Sequence, residues 1–201
     1  MNFLSIDCST DKGSLFVKIK NKTFVKVLQS DKYNNDLLMG QILGFFDKNN
    51  LLLDNISHIF VNQGPGNFSS LRGSIATAKG ISISKNLNLF GYDTFIWSCS
   101  KFFNRKDNVF SFIKFREKYY IKKFKKNLKS HSKIIEVSLQ DIIKNYDNEI
   151  KVAPKSIAKS FDENILRLNN LNIVNLDHNE LEFLQIKGLL EEKLIKPLYL
   201  V

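Results

Sequence analysis

Gly64-Pro65-Gly66-Asn67-Phe68-Ser69-Ser70-Leu71-Arg72-Gly73 decides the fold, because of what stands on either side of it. Before it, His58-Ile59-Phe60-Val61 is a short apolar run of the kind found in a buried strand. After it, the chain from about Leu71 to Lys85 reads as a helix, and Leu87 to Gly91 as the next strand. Strand, glycine-rich loop and helix in that order define an α/β unit. Two glycines around a proline of fixed φ permit a tight turn, with Ser69 or Ser70 as the cap of the helix. The amides at that helix start have two uses: they close a capped turn, or they hold an anion such as phosphate.

Upstream, Phe3 to Ile6 is a first apolar run, and Ser14 to Ile19 and Thr23 to Val27 alternate with strand period around Lys20-Asn21-Lys22. Asn34 or Asn35 can cap a helix carrying Leu38, Ile42, Phe45 and Phe46 on one stripe, ended by Asn49-Asn50. The order βββαβαβ completes a first α/β lobe, for which we take residues 1–100. Past the polar loop Asn104 to Asn108 a second lobe is expected over 101–201, resembling a shortened copy of the first. Its elements are a hairpin at 109–115 and 118–126, a strand at 134–137 and a helix at 139–146. A strand at 173–176, a helix at 180–192 and a strand at 194–200 finish it, the last two being available to pack back on the first lobe.

Composition narrows the function classes. The chain has 201 residues, 43% of them hydrophobic, with 17 Phe and 6 Tyr, which is a globular and not a disordered composition. The N-terminal residues reach Asp7 before a signal-type apolar stretch forms, and no apolar run nears the roughly 18 residues of a membrane helix, so a cytoplasmic protein without membrane attachment is expected. Two cysteines, Cys8 and Cys99, make neither a disulfide framework nor a zinc site. The three histidines, His58, His131 and His178, lack the spacing of a metal pair, and no metal is expected. There is no GxSxG nucleophile turn, and Cys8 has no local base.

Chemistry-bearing candidates remain in three places. Asp7-Cys8-Ser9-Thr10, at the end of the first strand, puts a carboxylate and hydroxyls where actin and hexokinase-type ATPases hold magnesium and phosphate. Gly73, Ala76, Thr77, Gly80 and Ser84 form a stripe of small residues on the second helix, suited to close approach of another backbone, in the same lobe or another chain. The net charge of +10 falls almost wholly within residues 101–133, which hold 12 basic and 2 acidic groups. There Lys122, Lys123, Lys125 and Lys126 mix with aromatics, either as the solvated end of a hairpin or as a phosphate contact.

Ile6-Asp7-Cys8-Ser9-Thr10, the Gly64–Arg72 loop, Ala76-Thr77-Ala78-Lys79-Gly80 and Pro197-Leu198-Tyr199-Leu200 together resemble the TsaB (YeaZ) family, whose motif is GPGSFTGLR followed by ATAKG. The resemblance covers roughly residues 3–95 well and the second lobe thinly. It implies an actin-like (ASKHA, ribonuclease H-like) fold of two lobes, and a non-catalytic scaffold subunit in threonylcarbamoyladenosine modification of tRNA. It also implies pairing with the catalytic subunit TsaD, a joining ATPase TsaE, and a homodimer when alone; ATP and metal would sit on those partners and tRNA would be met through the complex. The subunit contact would run through the two helices, with Leu38, Ile42, Phe45, Leu71, Arg72, Gly73, Ala76, Thr77 and Gly80. Asp7, Ser9, Thr10, Gly64, Pro65 and Gly66 would be degenerate phosphate loops. Ser70 stands where the family usually has Gly, Asn34 where many relatives have His, and Lys114 where the second lobe often has Asp.

Glycine usage bears on the enzyme alternative, a small actin-fold kinase or carbamoyltransferase using Asp7 and the Gly64–Gly66 loop. Such a site needs close backbone approach to nucleotide from both lobes, yet of nine glycines only Gly188 lies beyond Gly91.

Overall fold

The computed structural model describes residues 1–9, 13–28 and 37–200. Thr10, Asn34 and Asn35 therefore lie outside the described residues. The described chain divides into two compact units, Met1–Thr94 with Leu181–Val201, and Phe95–Glu180.

The first unit holds β1 (Phe3–Asp7), β2 (Ser14–Ile19), β3 (Lys22–Val27), α1 (Leu38–Lys48), β4 (His58–Asn62), α2 (Phe68–Lys85) and β5 (Asn88–Tyr92). Its sheet has the order β3-β2-β1-β4-β5. β1, β2 and β3 form an antiparallel meander, while β1, β4 and β5 run parallel. Each parallel step needs a crossover, which α1 and α2 supply. Period-2 alternation sends Leu4, Ile6, Leu15, Val17, Ile59 and Val61 to the helical side, where they meet Ile42, Phe45 and Phe46 of α1 and Ile75, Ala78 and Ile81 of α2. Phe3, Phe16 and Phe60 fill the other side, with Phe3 and Phe60 edge to face at 4.9 Å.

α3 (Thr94–Cys99) leads into β6 (Val109–Phe115), β7 (Lys118–Lys125), β8 (Ser130–His131), β9 (Ile135–Val137) and α4 (Leu139–Asn145). β10 (Ile150–Pro154), α5 (Lys155–Ala158), α6 (Glu163–Leu166) and β11 (Leu171–Val174) complete the second unit. The sheet order is β11-β10-β6-β7-β8, with β9 also on β7. β6 and β7 are antiparallel, and β6, β10 and β11 parallel, so the first sheet's plan recurs with its third strand split in two. The reduction lies in the crossovers: 7 residues of α4 replace the 11 of α1, and two helices of 4 residues replace the 18 of α2. This is the expected α/β fold of two actin-like lobes with the second shortened.

Several sequence expectations change. Ile150–Pro154 is a strand absent from the expected elements; its second residue is a lysine. Lys151 is nevertheless fully buried, its Nζ donating to the carbonyls of Tyr146 (2.6 Å), Asp147 (2.8 Å) and Glu149 (2.9 Å) just past α4. The last helix, α7 (Glu180–Ile186), stops short of 192 because Gly188 turns the chain at φ 67°. Residues 194–200 form no strand; Leu198 N donates to Gln63 O at 2.7 Å, and Glu191 bridges Gly91. The cap of α2 is Asn67, not Ser69 or Ser70: its side chain accepts from both of those amides.

Candidate functional site

Three loops meet at the carboxyl ends of β1, β4 and β5, where open α/β sheets ordinarily bind ligands. Asp7 ends β1, and its Oδ1 accepts from Ser9 N (2.9 Å), Ser9 Oγ (2.7 Å) and Asn62 Nδ2 (3.0 Å). Asn62 ends β4 and also reaches Ser9 Oγ (3.0 Å) and Thr94 Oγ1 (3.1 Å). Its own Oδ1 accepts from Gly64 N at 2.8 Å. One amide thus joins the ends of all three strands, and the polar cluster is satisfied from within. Among the described residues no buried side-chain nitrogen or oxygen lacks a partner.

Burial raises the Asp7 carboxyl above its usual range, against the hydrogen bonds from Ser9 and Asn62 that favour its charge. Burial, helped by the charge of Asp7, pushes the Cys8 thiol up to about 12, so Cys8 is no thiolate nucleophile at neutral pH.

The glycine loop closes on this cluster. A Cβ at Gly66 would fall 2.3 Å from Ser9 O, so the two loops lie backbone to backbone. Gly64 has φ +115° with a cis bond to Pro65, and a Cβ there would meet Leu198 O at 3.0 Å. The C-terminal segment is held on this side as well, Gln63 Nε2 donating to Lys196 O at 2.8 Å. Asp7, Ser9, Gly64, Pro65 and Gly66 are therefore brought together: Ser9 bonds Asp7, Gly64 N bonds Asn62, and the Gly66 backbone lies against that of Ser9. The α2 amides expected to hold an anion are capped by Asn67.

The helices show their other faces to solvent. Leu38, Ile42, Phe45 and Leu71, expected at a subunit contact, are instead buried within the chain's own core. They occupy the inward stripe; the outward stripe of α1 is Leu37, Met39, Gly40, Leu43 and Gly44. On α2, Arg72, Ala76 and Gly80 are exposed and Gly73 and Thr77 half-buried, with Ile83 82% exposed beyond them. Ideal Cβ positions at Gly40, Gly44 and Gly80 meet nothing within 4 Å. At the start of α2 the Arg72 guanidinium lies 5.0 Å from the Phe68 ring, which stacks on Tyr199 at 5.1 Å. The α1 half of this face was legible as Gly40 and Gly44 at i, i+4, opposite the apolar stripe. Asn62 was signalled only as a polar residue ending an apolar strand.

In the basic segment, Lys122 is buried and Lys123 is half-buried with its Nζ 5.2 Å from the Phe110 ring. Both belong to the body of the hairpin, Lys122 with its side chain turned away from solvent. Lys125 and Lys126 are exposed. The histidines stay apart: among the described residues no group of His, Cys, Asp or Glu could hold a metal ion. None of the described helices is long and apolar enough to cross a membrane.

These features define a class: a two-lobed, actin-like α/β protein whose Gly64–Gly66 loop packs on the turn after β1 and whose two glycine-bearing helices face outward. No protein-family model matches the chain. Over 86 residues, 42% of its length, it is 34% identical to the tRNA threonylcarbamoyladenosine biosynthesis protein TsaB of Buchnera aphidicola subsp. Baizongia pistaciae, and that match spans 38% of the relative. An uncharacterized protein from Pseudomonas aeruginosa with similarity to peptidase YeaZ shares the fold at TM-score 0.71, 14% identity, and 100% and 99% coverage of the two chains. YeaZ from Pseudomonas aeruginosa does so at TM-score 0.69, 15% identity and 99% coverage of both. The chain thus resembles TsaB over part of its sequence, spanning well under half of that relative, and shares its full-length fold with the YeaZ structures.

Proposed function

We propose that the chain is a non-catalytic scaffold subunit in threonylcarbamoyladenosine modification of tRNA. The process is the one named for its relative TsaB. The observation that carries the scaffold role is the contrast within the first lobe. Asp7, the carboxylate a nucleotide site would use, is buried and engaged by Ser9 and Asn62, while α1 and α2 leave a small-residue face uncovered.

Pairing with a TsaD-type catalytic subunit uses that outward face, where glycines let a partner helix approach closely and Leu43 and Ile83 supply apolar area. The Arg72–Phe68–Tyr199 stack has the side chains that dominate interface energies. In the absence of that partner a second copy of the chain takes the face, and a TsaE-type ATPase joins the pair. The chain acts by favouring the active arrangement of the catalytic subunit, a coupling free energy and not a chemical step.

The test is product formed on tRNA in a reaction containing the TsaD- and TsaE-type proteins of the same organism, with and without this chain. Product only in its presence, and no ATP hydrolysis by the chain alone, is the expected result. Equal product without it overturns the scaffold role, and saturable nucleotide binding by the isolated chain revives the enzyme alternative.

A further inference from the structure

The β6–β7 hairpin carries cations at both ends, and the two ends differ. At the β6–β7 turn Lys114 pairs with Glu117 (2.8 Å) and Lys118 with Glu136 (2.9 Å), so the charge there is largely met by carboxylates. At the opposite end the β7–β8 turn holds Lys125, Lys126 and Lys129, all exposed. The pairing of Val109 with Phe124 brings the loop before β6, with exposed Arg105 and Lys106, to that same end of the sheet. None of these five cations is in an ion pair among the described residues. The one carboxylate within the two loops is Asp107.

We infer that this end of the second unit binds the phosphate backbone of folded RNA. Five cations on two adjacent loops, interspersed with Asn104, Asn108 and Asn127, give the donors that contact phosphate and sugar oxygens. Protein interfaces are depleted in lysine and anchored by large apolar side chains, and neither holds here. Leu128, the only large apolar residue in the turn, is 3% exposed and points into the fold. That removes the wedge by which a basic surface enters a bilayer. The backbone of Lys126, Asn127 and Leu128 is left-handed in succession, with φ of 26°, 56° and 58°, which reverses the chain within the turn while Leu128 stays inside. The contact is sequence-independent, because no aromatic side chain is exposed in the two loops to stack on a base.

The inference stands apart from the scaffold reading, and separate measurements test the two. Fluorescence anisotropy of a labelled RNA stem-loop titrated with the full chain gives the salt dependence of binding. At about 0.9 counterions released per neutralised phosphate, five contacts lower affinity roughly 500-fold between 50 and 200 mM salt. Removing Lys125, Lys126 and Lys129 together to Ala leaves about a 12-fold loss, a fall of roughly 2.7 in the log–log slope. The same residues changed to Arg keep the slope, and Lys114→Ala with Lys118→Ala leaves it unaltered. The inference is overturned by an unchanged slope in the triple Ala variant. It is also overturned if the chain fails to bind RNA at low salt, whether or not it binds phosphatidylserine vesicles.

Discussion

Replacing Gly44 and Gly80 by alanine separates folding from docking, because the two effects carry opposite signs. Both glycines lie in helices, both are exposed, and an added Cβ meets nothing within 4 Å at either. An exposed helical Gly→Ala gains about 1 kcal/mol, chiefly by removing backbone freedom from the unfolded chain. The pair thus adds about 2 kcal/mol, or roughly 4–8 °C in Tm for a chain of this size. In a complex where a partner helix packs on those glycines, each methyl instead overfills the contact by about 1–3 kcal/mol. A combined loss of about 2–6 kcal/mol corresponds to roughly 30- to 20,000-fold weaker association. Differential scanning calorimetry of the isolated chain gives the first number, and titration calorimetry with the TsaD-type subunit the second. A variant that melts higher and pairs with undiminished affinity refutes the docking face. A variant that melts lower refutes the premise that the glycines face open space.

Gly66→Ala is expected to destabilise the chain by about 3 kcal/mol, since its Cβ would fall 2.3 Å from Ser9 O and must push the loop off the Asp7 cluster; an unchanged urea midpoint would contradict the close approach. Lys151→Met keeps the buried stem but strips three carbonyls of their donor, for a loss of about 2 kcal/mol by denaturant titration at constant m-value. His178 is buried against Trp97, with ring centroids 4.8 Å apart, and burial lowers its pKa to about 4. The native ring stays neutral while the unfolded one takes a proton below its ordinary pKa of 6.5, so stability is full above that pH and falls as pH drops toward 4. The loss is at most about 3 kcal/mol, and His178→Phe, which keeps a stacking ring, should flatten the pH dependence of Tm over that window.

The sequence made the first lobe legible because its signals are local. Alternation marks β2 and β3, a polar turn separates them, and Gly64 to Gly66 divides an apolar strand from an uninterrupted helix. It failed where a residue's role depends on partners distant in the chain. Lys151 reads as a charge in a weak apolar run, and only the three carbonyls beyond α4 make it an interior residue. The stripe of Leu38, Ile42 and Phe45 was periodic enough to locate a helix face, but periodicity cannot say whether an apolar stripe faces its own sheet or another molecule. The answer follows from the crossover: α1 must cover the β1–β4 step, which commits the apolar stripe inward and leaves Gly40, Leu43 and Gly44 outside. The same logic explains why the Asp7 motif misleads. Its spacing fits a phosphate-binding turn, yet Asn62, 55 residues from Asp7, donates to both Asp7 and Ser9, a partner that local spacing does not reveal. The Asn62 amide thereby acts as a rivet between the ends of β1 and β4, beneath the sheet face on which α1 and α2 pack. Asn62→Ala should therefore lower the urea midpoint and, under the proposed scaffold role, weaken pairing with the TsaD-type subunit without removing a residue from the outward face; an unchanged affinity in a destabilised variant would separate the loop from that role.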